Sequence, residues 1–241
     1  MALRPVTRRS VSDQVFDQLV DDVVDGEIAV GEALPSERRL AEVLGISRPA
    51  VREALQRIGQ TGLVEVRHGG ATTVRDFRKA AGLDLLPKLL VRGGRLDAAI
   101  VRSVVEARAE VGPGIAALAA ERGGPALAVA LDAVVADLEA ADDAITWQRL
   151  ALDYWDLLVD GADSLVFRLM YNSLRAAYEP ALPALAAVLA DEVGQVEPYR
   201  LLAAAIRAGD PATARAAAAR VLSPTASSLL GALTALSEDD Q

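Results

Sequence analysis

Residues 34–70 read LPSERRLAEVLGISRPAVREALQRIGQTGLVEVRHGG. This run predicts two short helices separated by a tight turn. Ser36 is suited to cap the first, Glu37 complements the positive end of its dipole, and Leu40, Val43 and Leu44 are spaced to point inward. Gly45 ends that helix and Ile46 packs beneath the turn. Ser47 caps the second helix, Pro49 is tolerated in its first turn, and Val51, Leu55 and Ile58 recur at helical spacing. Gly62 closes it. Leu63–Val66 and Thr72–Val74 then read as two short strands, joined by a loop at Arg67-His68-Gly69-Gly70.

Upstream, residues 1–10 form an arm bearing Arg4, Arg8 and Arg9. A helix capped by Ser12 runs to about Asp25, with Val15, Phe16, Leu19, Val20 and Val23 on one face. Downstream, the stretch RDFRKAAG leads into a region that is helical by pattern: about 84–92, 97–121, 125–140, 146–160, 164–178, 182–193, 196–208, 211–222 and 225–236. Glycine and proline mark the breaks, and Gly112-Pro113-Gly114 is expected to kink the long helix. The fold class expected is mainly α: an N-terminal winged helix-turn-helix over 1–78, a linker at 79–85, and an all-α antiparallel bundle over 86–241.

The chain has no cysteine, which excludes disulfides, thiol catalysis and thiolate metal sites. No run of about 18 uninterrupted apolar residues exists and no apolar segment follows the basic N-terminus, so no membrane association and a cytoplasmic location are expected. The net charge of −9 is unevenly spread. Residues 12–33 hold seven acids and no base, whereas 34–78 hold eight bases and five acids. A local basic surface suffices for phosphate contact, because charge farther than about 8–10 Å is screened at physiological salt.

In a helix-turn-helix the second helix enters the major groove with its N-terminal side chains at the base edges. That places Ser47, Arg48, Pro49 and Arg52 forward. Arginine bonds bidentately to guanine, so Arg48 and Arg52 are the base-reading candidates, and Arg38 is placed for a phosphate or a base. Ser36 and Ser47, with the free N–H groups at both helix starts, suit phosphates. The hairpin tip, with His68 and Gly69, would reach the adjacent minor groove. An exposed arginine is by itself usually just solvated; the ordered set of cap, turn, second cap, arginine pair and glycine-rich hairpin carries the reading.

The stretch ALPSERRLAEVLGISRPAVREALQRIGQTGLVEVRHGG closely resembles the N-terminal domain of GntR-type bacterial regulators, and the helical remainder resembles their FadR branch. MALRPVTRRS and RLMYNSLRAAYEP are similar to actinobacterial repressors of mammalian-cell-entry (Mce) lipid-transport operons. The resemblance implies DNA contact by Arg38, Ser47, Arg48, Arg52, His68 and Gly69. It also implies a homodimer on a palindromic operator of double-stranded DNA. The function expected is that of a repressor of an Mce-type or fatty-acid metabolism operon.

Many FadR-branch sensors hold a divalent metal through an Asp, a His four residues later and two further His. Here Asp153 matches the first position, but Leu157, Tyr199 and Val221 stand at the other three. One carboxylate is too few for a zinc-like site, so no metal and no cofactor are expected. The replacements are apolar or phenolic, and the pair Asp153-Tyr154 resembles the acyl-CoA-binding members. A fatty acyl-CoA or other lipid-like effector is the expectation, with Asp153, Tyr154, Leu157, Tyr171, Leu174, Tyr178, Tyr199, Leu202 and Val221 as candidate lining. Arg102, Arg108 or Arg175 would meet an anionic head group. The same Leu, Val and Tyr spacing also fits a plain bundle core. Two alternatives stay open: a sensor of a small carboxylate, or a bundle that only dimerises.

An enzyme is not expected. The sole His is in the hairpin loop and the two Lys, Lys79 and Lys88, lie near the linker, so no nucleophile and base converge.

Overall fold

The structure, a computed structural model, describes residues 10–66, 71–92, 95–183 and 195–222. The chain divides into two compact units, Met1–Lys88 and Leu89–Gln241.

The first unit begins with α1 (Val11–Val24). Its cap is Ser10, not Ser12: the Ser10 hydroxyl accepts from the Asp13 N–H, and the Ser10 N–H donates back to the Asp13 carboxylate. This reciprocal box satisfies two donors that a helix start leaves open, and Ser12 is buried on the first turn instead. The inner face is the expected one, with Val15, Phe16, Leu19, Val20 and Val23 buried. Helices α2 (Glu37–Leu44) and α3 (Arg48–Gln60) follow, each started by a serine whose hydroxyl accepts from the third backbone N–H onward. Gly45 ends α2 at φ 66°, in the left-handed region that glycine adopts without a Cβ penalty. Leu40 and Ala41 are the buried residues of α2; Val43, expected inside, is exposed. An eight-residue helix has room for one narrow inward stripe, and Val43 falls off it.

Val51, Ala54, Leu55 and Ile58 bury the inner face of α3 against α1. Gly62, at φ 79°, leads into the hairpin, and the carbonyl oxygen of Ala80 lies 2.6 Å from where a Cβ would stand. Strands β1 (Val64–Glu65) and β2 (Thr73–Val74) pair antiparallel, Val64 opposite Val74. The far edge of β2 is also occupied: Gly31 N–H donates to the Val74 carbonyl, Leu34 N–H to Thr72, and Val74 N–H to Glu32. The wing is therefore three segments wide, which short-range patterning did not foresee.

Residues 76–90 are structured: α4 (Phe77–Ala80), a 3-10 turn at Leu83–Leu85 and α5 (Leu86–Leu90). Leu85 is buried and Lys88 pairs with Asp17 of α1 at 2.5 Å. The single helix expected over 84–92 is replaced by this turn and helix, followed by a hairpin of β3 (Val91–Arg92) and β4 (Arg95–Leu96).

Beyond that short hairpin the second unit is a helical bundle: α6 (Ala98–Arg122), α7 (Gly124–Ala140), α8 (Ala144–Gly161), α9 (Leu165–Tyr178), α10 (Glu197–Ala208) and a last described helix at 211–222. α6 is continuous through Pro113. Helices expected at 182–193 and 225–236 fall largely or wholly outside the described residues. Trp147, Tyr154, Leu131, Leu138, Leu158 and Leu202 are the largest fully buried side chains of the bundle core. α9 folds back along α8, so that Tyr178 meets Gln148 at one end and Arg168 meets Asp156 at the other.

Candidate functional site

The turn between α2 and α3 sets two helix starts side by side. Glu37, the first residue of α2, reaches across it to Arg52 in the second turn of α3. Arg52 Nε donates to Glu37 Oε1 at 3.0 Å and Arg52 Nη2 to Glu37 Oε2 at 2.8 Å. Arg48, the first residue of α3, lies with Nη2 3.9 Å from the same Oε2. The side chains of Arg48 and Arg52 are 59% and 58% exposed, so both guanidiniums are displayed while one carboxylate orients them. The Arg52 hydrogen bonds hold the Glu37 carboxyl below its usual pKa, and the charges of Arg52 and Arg48 add to that.

Arg38 is exposed in the first turn of α2, with Glu42 one turn on at 3.8 Å. Ser47 is engaged as the α3 cap and Pro49 follows in the first turn, exposed. Arg38, Ser47, Arg48, Pro49 and Arg52 therefore all belong to the α2–turn–α3 element. His68 and Gly69 lie outside the described residues. Sequence reasoning treated Glu37 as a dipole partner only. Its role as the anchor of Arg52 joins residues fifteen apart on different helices, which no periodic pattern reports.

This element is fixed beneath by a second charged clamp. Arg57 of α3 donates to Asp13 of α1 at 2.5 Å and lies over the Phe16 ring, 4.6 Å from its centroid. The Asp13 carboxyl is lowered to about 2, first by that bond and then by the hydroxyl and N–H of Ser10. The orientation of α3 against α1 thus rests on apolar burial plus one ion pair at its rim.

In the bundle the candidate effector residues fall into two groups. Tyr154, Tyr199 and Val221 are core: the Tyr154 hydroxyl donates to the Tyr199 carbonyl at 2.9 Å, and the two rings meet edge to face at 5.0 Å. Trp147 stacks on Tyr199 in the same manner at 5.6 Å, and Leu157 packs half-buried at the margin of this cluster. Burial pushes the Tyr154 hydroxyl above its ordinary pKa. Asp153, Tyr171, Arg175 and Tyr178 lie along the α8–α9 seam. Arg175 donates to Asp153 at 2.7 Å and to Glu179 at 2.8 Å, and the Tyr171 hydroxyl donates to the Leu152 carbonyl. Arg102 stands apart, exposed in the second turn of α6.

These positions do not compose a metal site. The Asp153 carboxylate is taken by Arg175, Leu157 and Val221 offer no donor atom, and the Tyr199 ring is wedged between Trp147 and Tyr154. Among the described residues no group of three His, Asp or Glu side chains is placed to hold an ion.

A winged helix-turn-helix with two anchored arginines on its second helix, followed by a mainly helical unit, defines a class: a DNA-binding transcription regulator. Residues 11–74 match the family of bacterial regulatory proteins called gntR, and residues 103–223 match the FCD domain. The regulator Mce2R of Mycobacterium tuberculosis is 56% identical over 233 residues, 97% of each chain. The fatty acid metabolism regulator of Edwardsiella ictaluri is 30% identical over 166 residues, 67% of this chain and 66% of that one. A solved Listeria monocytogenes structure, of the Lar protein described as controlling expression of the agr system, aligns at TM-score 0.57 and 16% identity. It covers 93% of this chain and 98% of its own, and shares the fold. The chain belongs to the GntR family of transcription regulators, with an FCD-type second domain. The family consists of regulators, not enzymes.

Proposed function

We propose that this chain is a cytoplasmic, homodimeric repressor of an Mce-type lipid-transport or fatty-acid metabolism operon, released by a lipid-like effector such as a fatty acyl-CoA. The observation that carries the DNA half is the Glu37-anchored Arg48 and Arg52 pair, displayed where a recognition helix meets base edges. Two copies related by a two-fold axis would read the halves of a palindrome, about 34–36 Å apart or a multiple of that. Arg38 would contact phosphate or base, Ser47 and Pro49 would sit against the backbone at the start of α3, and His68 and Gly69 would enter the minor groove. No described helix is long and apolar enough to cross a membrane.

Support for the effector half comes from two relatives, Mce2R and a fatty acid metabolism regulator. The bundle supplies the coupling. Tyr154, Tyr199, Leu157 and Val221 are closed on one another. A ligand that enters among them, or along the seam of Asp153, Tyr171, Arg175 and Tyr178, must part helices. If the parted arrangement presents the two DNA heads poorly, ligand lowers operator affinity, and operator lowers ligand affinity by the same factor. Arg102 would serve as an outer contact for a charged head group.

The test is operator titration with and without saturating oleoyl-CoA. The reading expects at least a five-fold loss of operator affinity, about 1 kcal/mol of coupling. Equal affinities remove the coupling and leave a bundle that only dimerises.

A further inference from the structure

We propose that Lys88, outside the helix-turn-helix, is a positioning residue for operator recognition: with Asp17 and the Phe16 ring it holds Arg57 in place, and through Arg57 the roll of α3. This role rests on the reading of α3 as the recognition helix and deepens it by adding a residue of the linker.

Phe16 of α1 is buried, at 3% exposure, and two cations approach its ring. The Arg57 guanidinium of α3 lies 4.6 Å from the centroid, and Nζ of Lys88, in α5, lies 5.3 Å from it. Both are distances at which the ring quadrupole attracts a cation. The two cations are thus no more than about 10 Å apart, around one screening length. Each is matched by its own carboxylate. Asp13 takes Arg57 and Asp17 takes Lys88, both at 2.5 Å. Asp13 and Asp17 stand one turn apart on α1 and share a face of it. Two acids, two bases and one ring join α1, α3 and α5 at one place.

The separation of the two pairs depends on both cations. Without the Lys88 ammonium the Asp17 charge is less balanced, beside a ring that still holds Arg57. The Arg57 guanidinium is then drawn toward Asp17, about 5–6 Å along α1 from Asp13.

α3 follows such a shift. Arg48 and Arg57 are about two and a half turns apart, so they leave α3 on opposite sides. Arg48 and Arg52 are displayed, whereas Arg57 is turned toward α1. Movement at Arg57 rolls the displayed arginines in the opposite sense, and a bidentate base contact tolerates little of that.

The rest of the linker keeps Lys88 in place. The Arg75 N–H donates to the Leu63 carbonyl, and the Ala80 carbonyl lies close enough to Gly62, just beyond α3, to exclude a Cβ. Leu85 is 1% exposed. The segment from Arg75 to Lys88 is therefore packed on the DNA-binding unit, and Lys88 ties its end to α1.

The test uses the full-length protein in paired anisotropy titrations on its upstream intergenic duplex and a scrambled duplex, over a series of salt concentrations. Lys88→Met keeps an aliphatic stem and removes the charge. The expected result is a ratio of operator to scrambled affinity lowered about three- to five-fold, with the slope of log K against log salt unchanged. Lys88→Arg, which keeps the charge and the ring contact, should hold the wild-type ratio. Adding Asp17→Asn to Lys88→Met should recover it, because the competing charge is gone; a residue that only stabilises the fold would show no such rescue. Lys88→Gln serves if Lys88→Met does not fold. The role is overturned if the ratio is unchanged in the folded variants, if both duplexes lose affinity equally, or if Asp17→Asn recovers nothing. A salt slope that falls by about one also overturns it, since that marks a direct phosphate contact. A wild type without operator preference removes the reading of α3 and this role with it. A preference that survives Lys88→Met removes the role alone.

Discussion

Glu37, at the start of one helix, holds Arg52, in the second turn of the next, by two parallel hydrogen bonds of 3.0 and 2.8 Å. A long side chain on an exposed helix ordinarily wanders among rotamers and loses that freedom on binding. Here part of the loss is already incurred in the free protein. The cost is a carboxylate beside the surface proposed to face phosphate.

Replacing Glu37 by Gln removes that negative charge and frees Arg52 and Arg48. Binding to scrambled duplex should tighten several-fold, because phosphate attraction is less opposed. The ratio of operator to scrambled affinity should fall by about ten-fold, roughly 1.4 kcal/mol. Paired anisotropy titrations on the two duplexes check both. The pKa direction adds a condition. Glu37 titrates below its ordinary value, so the tether is complete above the unfolded carboxylate pKa and is lost only as pH falls through the lowered one. Between pH 6 and 8 the wild-type ratio should carry no titration from this group.

Arg52→Ala and Arg38→Ala should fail in different ways. Arg52→Ala is expected to cost about 1–3 kcal/mol on operator and little on scrambled DNA, the mark of a base contact. Arg38→Ala should weaken both and lower the slope of log K against log salt by about one, the mark of a phosphate contact. Equal losses for Arg52→Ala on both duplexes would move it from base to backbone.

The Asp13–Arg57 clamp predicts a pH-dependent stability. Asp13 is lowered from 3.8 to about 2 in the folded chain. A depressed carboxylate contributes stability that is full above the unfolded pKa and disappears as pH falls through the folded one. Asp13→Asn should therefore melt below the wild type at pH 7. The gap should close as pH approaches 2. A gap that persists undiminished at low pH would assign the effect to packing of the amide.

In the bundle, Tyr154→Phe deletes the hydrogen bond to the Tyr199 carbonyl and keeps the ring stack. The expected loss is about 1 kcal/mol in urea denaturation. Tyr154→Ala, which also opens a cavity beside Tyr199 in the bundle core, should lose about 3–5 kcal/mol.

The local punctuation of the DNA-binding unit was legible in the sequence. Ser36, Gly45, Ser47 and Gly62 each announce a start or stop through their own backbone chemistry, and each stands where expected. Ser10 was missed in favour of Ser12, although Ser10 and Asp13 have the spacing of a reciprocal cap. What escaped was non-local. The pairing of residues 31–34 with β2, the β3–β4 hairpin and the Glu37 tether each depend on chain segments that only the fold brings together. The bundle shows the same limit. Arg102, Arg108 and Arg175 look alike as letters; their differing partners separate them.

The most direct test of the central claim is fluorescence anisotropy of the full-length protein on its own upstream intergenic DNA, with a scrambled duplex and Arg52→Ala as controls. The account predicts palindrome-dependent binding at least a thousand-fold tighter than to the scrambled duplex, largely lost in Arg52→Ala. Equal binding to both duplexes, or operator affinity indifferent to Arg48 and Arg52, would contradict it.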